Sequence, residues 1–139
     1  MSDRGFRDNN PGNLRPGTTP WLGEIAPDGG YCRFDIPENG IRAMGKNLLA
    51  YQTKHQCKTI SAIIGRWAPP SDNNDTPAYI AAVAADVGID ADRLIDLTDA
   101  SVLSSMLGAI IQHENGSQPY SEVILERAAS AAVGDGLEW

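Results

Sequence analysis

Glu114 is the side chain in this 139-residue sequence whose type and position most suggest chemistry. Val102, Leu103, Met106, Leu107, Ile110 and Ile111 recur at the spacing of one face of a helix expected over residues 99–113. Glu114 follows Ile110 by four residues and Ile111 by three, so it extends the apolar stripe and not the wet face. Asn115 and Gly116 come next, and these residue types end helices. A carboxyl group in apolar surroundings has its neutral form favoured, as a general acid working near neutral pH requires. The ordinary alternative is a solvated Glu at a fraying helix end. His113 stands beside it, but adjacent helical residues point about 100° apart. His113 is therefore expected at the rim, or as a cation near the negative end of the helix.

The elements that must position Glu114 read as follows. Residues 1–36 are rich in Gly, Pro, Asn and Asp, with extended pieces at 21–26 and 31–34 joined by the turn Pro27-Asp28-Gly29-Gly30. Helices are expected over 37–53, opened by Pro37, and over 59–67, stopped by Ala68-Pro69-Pro70. Another follows from 76 to 88, capped by Thr76 with Pro77 in its first turn. Residues 90–97 form a turn or short helix. A last helix spans 120–133 with Val123, Ile124, Ala128 and Ala131 inward, and the tail 134–139 is loose. This predicts one domain over 1–139, α+β and mainly helical, with a small β-hairpin lobe.

Composition narrows the function classes. A net charge of −7, with Lys and Arg scattered, argues against nucleic acid as a partner. No apolar run approaches the roughly 20 residues of a membrane span, so no membrane insertion is expected. The N-terminus lacks the apolar stretch of a signal peptide, which implies synthesis in a cytoplasm. Cys32 and Cys57 are then expected as free thiols. Two Cys and two His residues, His55 and His113, show no metal-ligand spacing, so neither a metal nor another cofactor is expected. A monomer is expected.

Three segments together resemble the lysozyme-like superfamily of peptidoglycan hydrolases. Asn9-Asn10-Pro11-Gly12-Asn13-Leu14-Arg15, followed by the hairpin and residues 31–41, is similar to the Asn-Asn segment of bacterial glucosaminidases. Asp75-Thr76-Pro77-Ala78-Tyr79-Ile80-Ala81-Ala82-Val83 resembles a helix of lytic transglycosylases. Ala109-Ile110-Ile111-Gln112-His113-Glu114-Asn115-Gly116 resembles the helix end that carries their catalytic acid. The acid helix comes first in those enzymes and nearly last here, so the resemblance implies a circularly permuted lysozyme-like fold. Termini that meet at a domain surface make such a rearrangement tolerable. Nearly the whole chain is also similar to a group of phage-borne proteins through residues 4–15, 66–80 and 109–116, with Asp8 where that group has Asn.

The resemblance implies a muramidase or lytic transglycosylase acting on the glycan strands of the bacterial cell wall, with Glu114 as general acid. It implies that Tyr79 reaches the cleft, and that Asn10, Asn13 and Arg15 bind sugar amides and hydroxyls. Trp21 would stack on a sugar ring. A second carboxylate would come from Glu24, Asp28 or Asp75. The structural alternatives are turn chemistry for Asn10 and Asn13, helix capping for Asp75, core packing for Tyr79 and solvated hairpin charges for Glu24 and Asp28. Such an enzyme, made in a host bacterial cytoplasm, would reach the wall by holin-type release, virion delivery or secretion. The competing function is a non-catalytic phage virion structural or assembly protein that keeps the lysozyme-like fold.

Overall fold

The computed structural model describes residues 3–134. In chain order the elements are α1 (Asp3–Arg7), β1 (Glu24–Asp28), β2 (Tyr31–Phe34), α2 (Pro37–His55), α3 (Ile60–Trp67), α4 (Thr76–Val87), α5 (Ala100–Asn115) and α6 (Glu122–Gly134). A 3-10 turn at Pro70–Asp72 precedes α4. The protein is thus α+β and mainly helical. The expected tail beyond residue 134 lies outside the described residues.

Local chemistry sets the helix ends. Thr59 caps α3 by accepting the Ala62 N–H, and Asp99 caps α5 by accepting the Ser101 N–H. The cap of α4 is Asp75, one residue earlier than expected: its carboxylate accepts the Ala78 N–H. Thr76 instead turns its hydroxyl to the Ala68 carbonyl at 2.6 Å, tying the start of α4 to the end of α3. Residues 90–97 form turns, not a helix, and their backbone is pinned to the start of α3 and the residues before it by Ser61 N to Ala91 O and Ile95 N to Lys58 O.

α2 and α5 form the centre. α2 touches α3, α5, α6 and β2, while α5 touches α4 and α6 as well. Ile41, Met44 and Leu48 of α2 and Leu103, Leu107, Ile110 and Ile111 of α5 are fully buried. α6 is partly rotated from the expected phase: Ala128 faces inward as expected, but Val123 is 57% exposed, and Leu125, Ala129 and Ala132 are buried. The cause is close approach. A methyl on Gly45 of α2 would lie 2.9 Å from the Ala132 Cβ, so only small residues fit that seam.

The hairpin register pairs Glu24 with Phe34, Ile25 with Arg33 and Asp28 with Tyr31. β1 begins three residues later than expected because Gly23 adopts a left-handed φ of 79° and the Glu24 N–H returns to the Trp21 carbonyl in a turn. The free edge of β2 is closed by residues 8–14. Cys32 N bonds Leu14 O and Phe34 N bonds Asp8 O, both at 2.9 Å. The side-chain amides of Asn9 and Asn10 donate to the Phe34 and Cys32 carbonyls, both at 3.0 Å. These amides do the work of strand N–H groups, and the edge is satisfied without a third strand.

Candidate active site

Glu114 sits in the last turn of α5, half-buried, where Gly116 at φ 78° ends the helix. Tyr79 of α4 donates its hydroxyl to Glu114 Oε2 at 2.8 Å. Oε1 accepts no hydrogen bond from the described residues. Tyr79 is only 2% exposed: its ring packs in the core, and its hydroxyl is spent on the Glu114 carboxylate. Burial, then the charge and hydrogen bond of Glu114, push the Tyr79 hydroxyl far above the usual tyrosine range, against a smaller opposing pull from Trp67. It therefore stays a proton donor to Glu114 at any physiological pH.

His113 does not face Glu114. Its ring lies on the Tyr79 ring with centroids 3.9 Å apart and planes at 33°. Trp67 closes in from the end of α3, and a methyl on Gly12 would lie 3.1 Å from its Cη2. His113 adjoins Glu114 in sequence, but its stacking on Tyr79 was not expected; Trp67 reaches the site through the packing of α3 against α4.

Asn115, next to the acid, is fully buried and donates to Pro11 O at 2.9 Å and Ile111 O at 3.0 Å. A methyl on Gly5 would lie 3.0 Å from Asn115 Oδ1 and 3.5 Å from Asn13 Oδ1, so α1 needs glycine there. Phe6 meets Tyr120 edge-to-face at 5.8 Å. The N-terminal segment therefore packs on the end of α5 and on the link to α6.

The other expected site residues divide. Asn10 is 1% exposed, and its amide is engaged by Leu14 N, Leu14 O and Cys32 O. That is turn and edge chemistry, with no group left to meet a sugar. Asn13 is half-buried at φ 52°. Arg15 is exposed, stacks on the Tyr31 ring at 4.4 Å and donates to the Tyr31 hydroxyl at 3.0 Å. Trp21 lies with Arg15 on the wall of a pocket between residues 14–22 and α2.

All three proposed second carboxylates have structural partners. Glu24 Oε1 accepts the Trp21 backbone N–H at 2.9 Å. Asp75 caps α4. Asp28 is clamped by Arg7 at 2.6 Å, which holds its carboxyl below the usual range. The adjoining Asp8, 3% exposed, is shifted upward, first by burial and then by Asp28. Arg7, Asp8 and Asp28 thus form a clasp between α1 and the hairpin.

No protein-family model matches the chain. It is 40% identical over 142 positions to Protein P5 of Pseudoalteromonas phage PM2, a match that covers 98% of this chain and 81% of that protein. The chain belongs to the Protein P5 family. Its relative is a phage protein, in keeping with the phage-borne resemblance of the sequence. Among the described residues no helix is long and apolar enough to cross a membrane, and no group of three or more His, Cys, Asp or Glu is placed to hold a metal ion.

Proposed function

We propose that this member of the Protein P5 family cleaves the glycan strand of peptidoglycan, with Glu114 as its general acid. The observation that carries the proposal is the half-buried carboxylate at the end of α5, with one oxygen held by Tyr79 at 2.8 Å and the other accepting no hydrogen bond from the described residues. Glu114, protonated, gives its proton to the leaving glycosidic oxygen as the C1–O bond breaks. With Glu24, Asp28 and Asp75 engaged elsewhere, the single-acid route is favoured. There the substrate's own 6-hydroxyl attacks C1 and returns its proton to Glu114. The contacts of residues 5–13 with Asn115 and of Phe6 with Tyr120 support the lysozyme-like order with its halves exchanged. In a phage, such an enzyme would act after virion delivery or holin-type release.

The test is clearing of purified peptidoglycan. Glu114→Gln is nearly isosteric and is expected to lower the rate by about 10²–10⁴-fold with the fold intact by circular dichroism. A Gln variant as fast as wild type removes Glu114 from the mechanism. Mass analysis of the products separates anhydro ends, from transglycosylation, from reducing ends, from hydrolysis. The second reading is a virion structural or assembly protein. It is favoured by the phage relative and by the structural partners of Glu24, Asp28 and Asp75.

A further inference from the structure

Two carboxyl groups meet on one guanidinium where the N-terminal segment touches the hairpin. Asp28 of β1 takes Arg7 Nη2 at 2.6 Å, and Asp8 offers Oδ1 to Arg7 Nε at 3.5 Å. The Arg7 side chain is 61% exposed, but that of Asp8 keeps only 2% of its surface. Asp8 Oδ2 is sealed from water and accepts no hydrogen bond from the described residues. The Asp28 carboxyl stands within hydrogen-bond reach of Asp8. Two ionised carboxylates are acceptors only, so a bond between them forms when one carries a proton. Without that proton a buried oxygen is left unpaired, which is costly. The surrounding elements bring charge to the pair through Arg7 of α1 and Arg33 of β2. α2 meets this stretch through Gly40, under the Asn9 carbonyl.

We propose that Asp8 and Asp28 share one proton, and that this proton latches the N-terminal segment onto the hairpin. The proton sits on Asp8 Oδ2 and is donated to Asp28, which the short bond to Arg7 keeps as the carboxylate of the two. Burial first, then the bond to Asp28 and its charge, raises the Asp8 carboxyl above its usual range, against the pull of Arg7. Arg7 first, then Asp8, lowers Asp28, against burial. The pair thus keeps one proton on both sides of the ordinary carboxyl value of 3.8. The stability that Asp8 supplies is full below 3.8 and is lost as pH rises through its raised value. That from Asp28 is present above 3.8 and is lost as pH falls through its lowered value. What the latch holds is the cover of the β2 edge: Asp8 O accepts the Phe34 N–H at 2.9 Å. Loss of the proton leaves two carboxylates on one arginine, and the segment parts from Phe34 more readily. A metal ion is the other bridge between carboxylates, but Arg7 and Arg33 already bring positive charge to this pair. None of this depends on the chemistry assigned to Glu114.

The test titrates the full chain from about pH 4 to pH 8. Carboxyl-carbon NMR on the wild type decides by itself: the Asp8 signal should take its step above the ordinary value of 3.8, and Asp28→Asn should bring that step down. Asp8→Asn is nearly isosteric, and its amide donates to Asp28 at every pH while its carbonyl keeps Arg7. Its Tm should match wild type near pH 4 and exceed it increasingly toward about pH 7. Exchange of the Phe34 amide, corrected for its intrinsic rate, should quicken in wild type by about tenfold for each unit by which Asp8 is raised. In Asp8→Asn it should stay level across the range. Asp8→Ala, which neither titrates nor donates, should be less stable than wild type near pH 4. An Asp8 step at or below 3.8 overturns the proposal, as does an Asp8→Asn chain no more stable than wild type at about pH 7. Calcium that raises the Tm of wild type but not of Asp8→Asn assigns the pair to a metal ion and overturns it equally.

Discussion

Around Met44 and Ile110 the chain is held by side chain packed on side chain, with both residues sealed from water. Around Asn10 it is held by amides bonded to main chain, and few large apolar groups are present. The helical body follows from periodicity. The N-terminal segment follows from a small set of polar side chains that stand in for backbone donors. Glu114 lies where the two meet, since its neighbour Asn115 reaches Pro11 across the seam. Substitutions should therefore act differently on the two sides, and the seam itself should be the most sensitive point.

The largest effect is expected at Gly40. A methyl there would overlap the Asn9 carbonyl oxygen and approach Phe34 Cδ1 to 3.2 Å, so α2 and the N-terminal segment could not both keep their places. Gly→Ala inside a helix ordinarily gains about 1 kcal/mol. Gly40→Ala is instead expected to lose about 3 kcal/mol in chemical denaturation. Gly65 of α3, with nothing within 4 Å of a methyl, is the control, and Gly65→Ala should gain about 0.5–1 kcal/mol. If both substitutions stabilise, the seam is looser than drawn.

Asn10→Ala ranks next, at about 2 kcal/mol, because it strands the buried Leu14 N–H and removes a donor from the Cys32 and Leu14 carbonyls, of which Leu14 O keeps the Cys32 N–H. Its signature should be local. Hydrogen exchange at the Cys32 and Phe34 amides, which donate into residues 8–14, should speed up far more than exchange in α5. Uniform acceleration across the chain would mean that the segment and the body open as one unit.

The same contrast explains what the sequence made legible. α2, α3 and α5 carry long apolar stripes with Pro, Thr or Asp at their starts, so their extents and the position of Glu114 could be read within a residue or two. α6 was partly misphased because Ala129 and Ala132 carry little hydrophobic signal, and the closeness of Gly45 is a tertiary fact. α1 was missed because five residues, DRGFR, show no period at all. Tyr79 and Glu114 were each singled out, and the structure adds the bond between them. Arg42 and Lys46 gave no signal, since an i, i+4 basic pair on a helix is most often only a solvated face, and it took the 14–22 loop to make them part of a pocket.

The smallest effect concerns Cys32, which reports on the segment side alone. Its thiol is pushed up to about 11 from 9.0, chiefly by burial, with Glu24 adding to the shift. The folded chain keeps this proton where the unfolded chain loses it. Stability from Cys32 is thus fully present below about pH 9 and is lost as pH rises toward 11. Tyr120, pushed up to about 12 from 10.0 by burial, acts in the same sense but only above pH 10. The interval from pH 9 to 10 therefore isolates the thiol. Cys32→Ala should cost some stability at pH 7 by opening a small cavity, yet flatten the fall in Tm across that interval. Asn10→Ala should raise the rate at which iodoacetamide reaches Cys32 at pH 9, because the residues that cover the thiol are the ones that Asn10 holds. A Tm slope unchanged by Cys32→Ala, or alkylation unchanged by Asn10→Ala, would show that the segment does not seal this edge of the hairpin independently of the helical body.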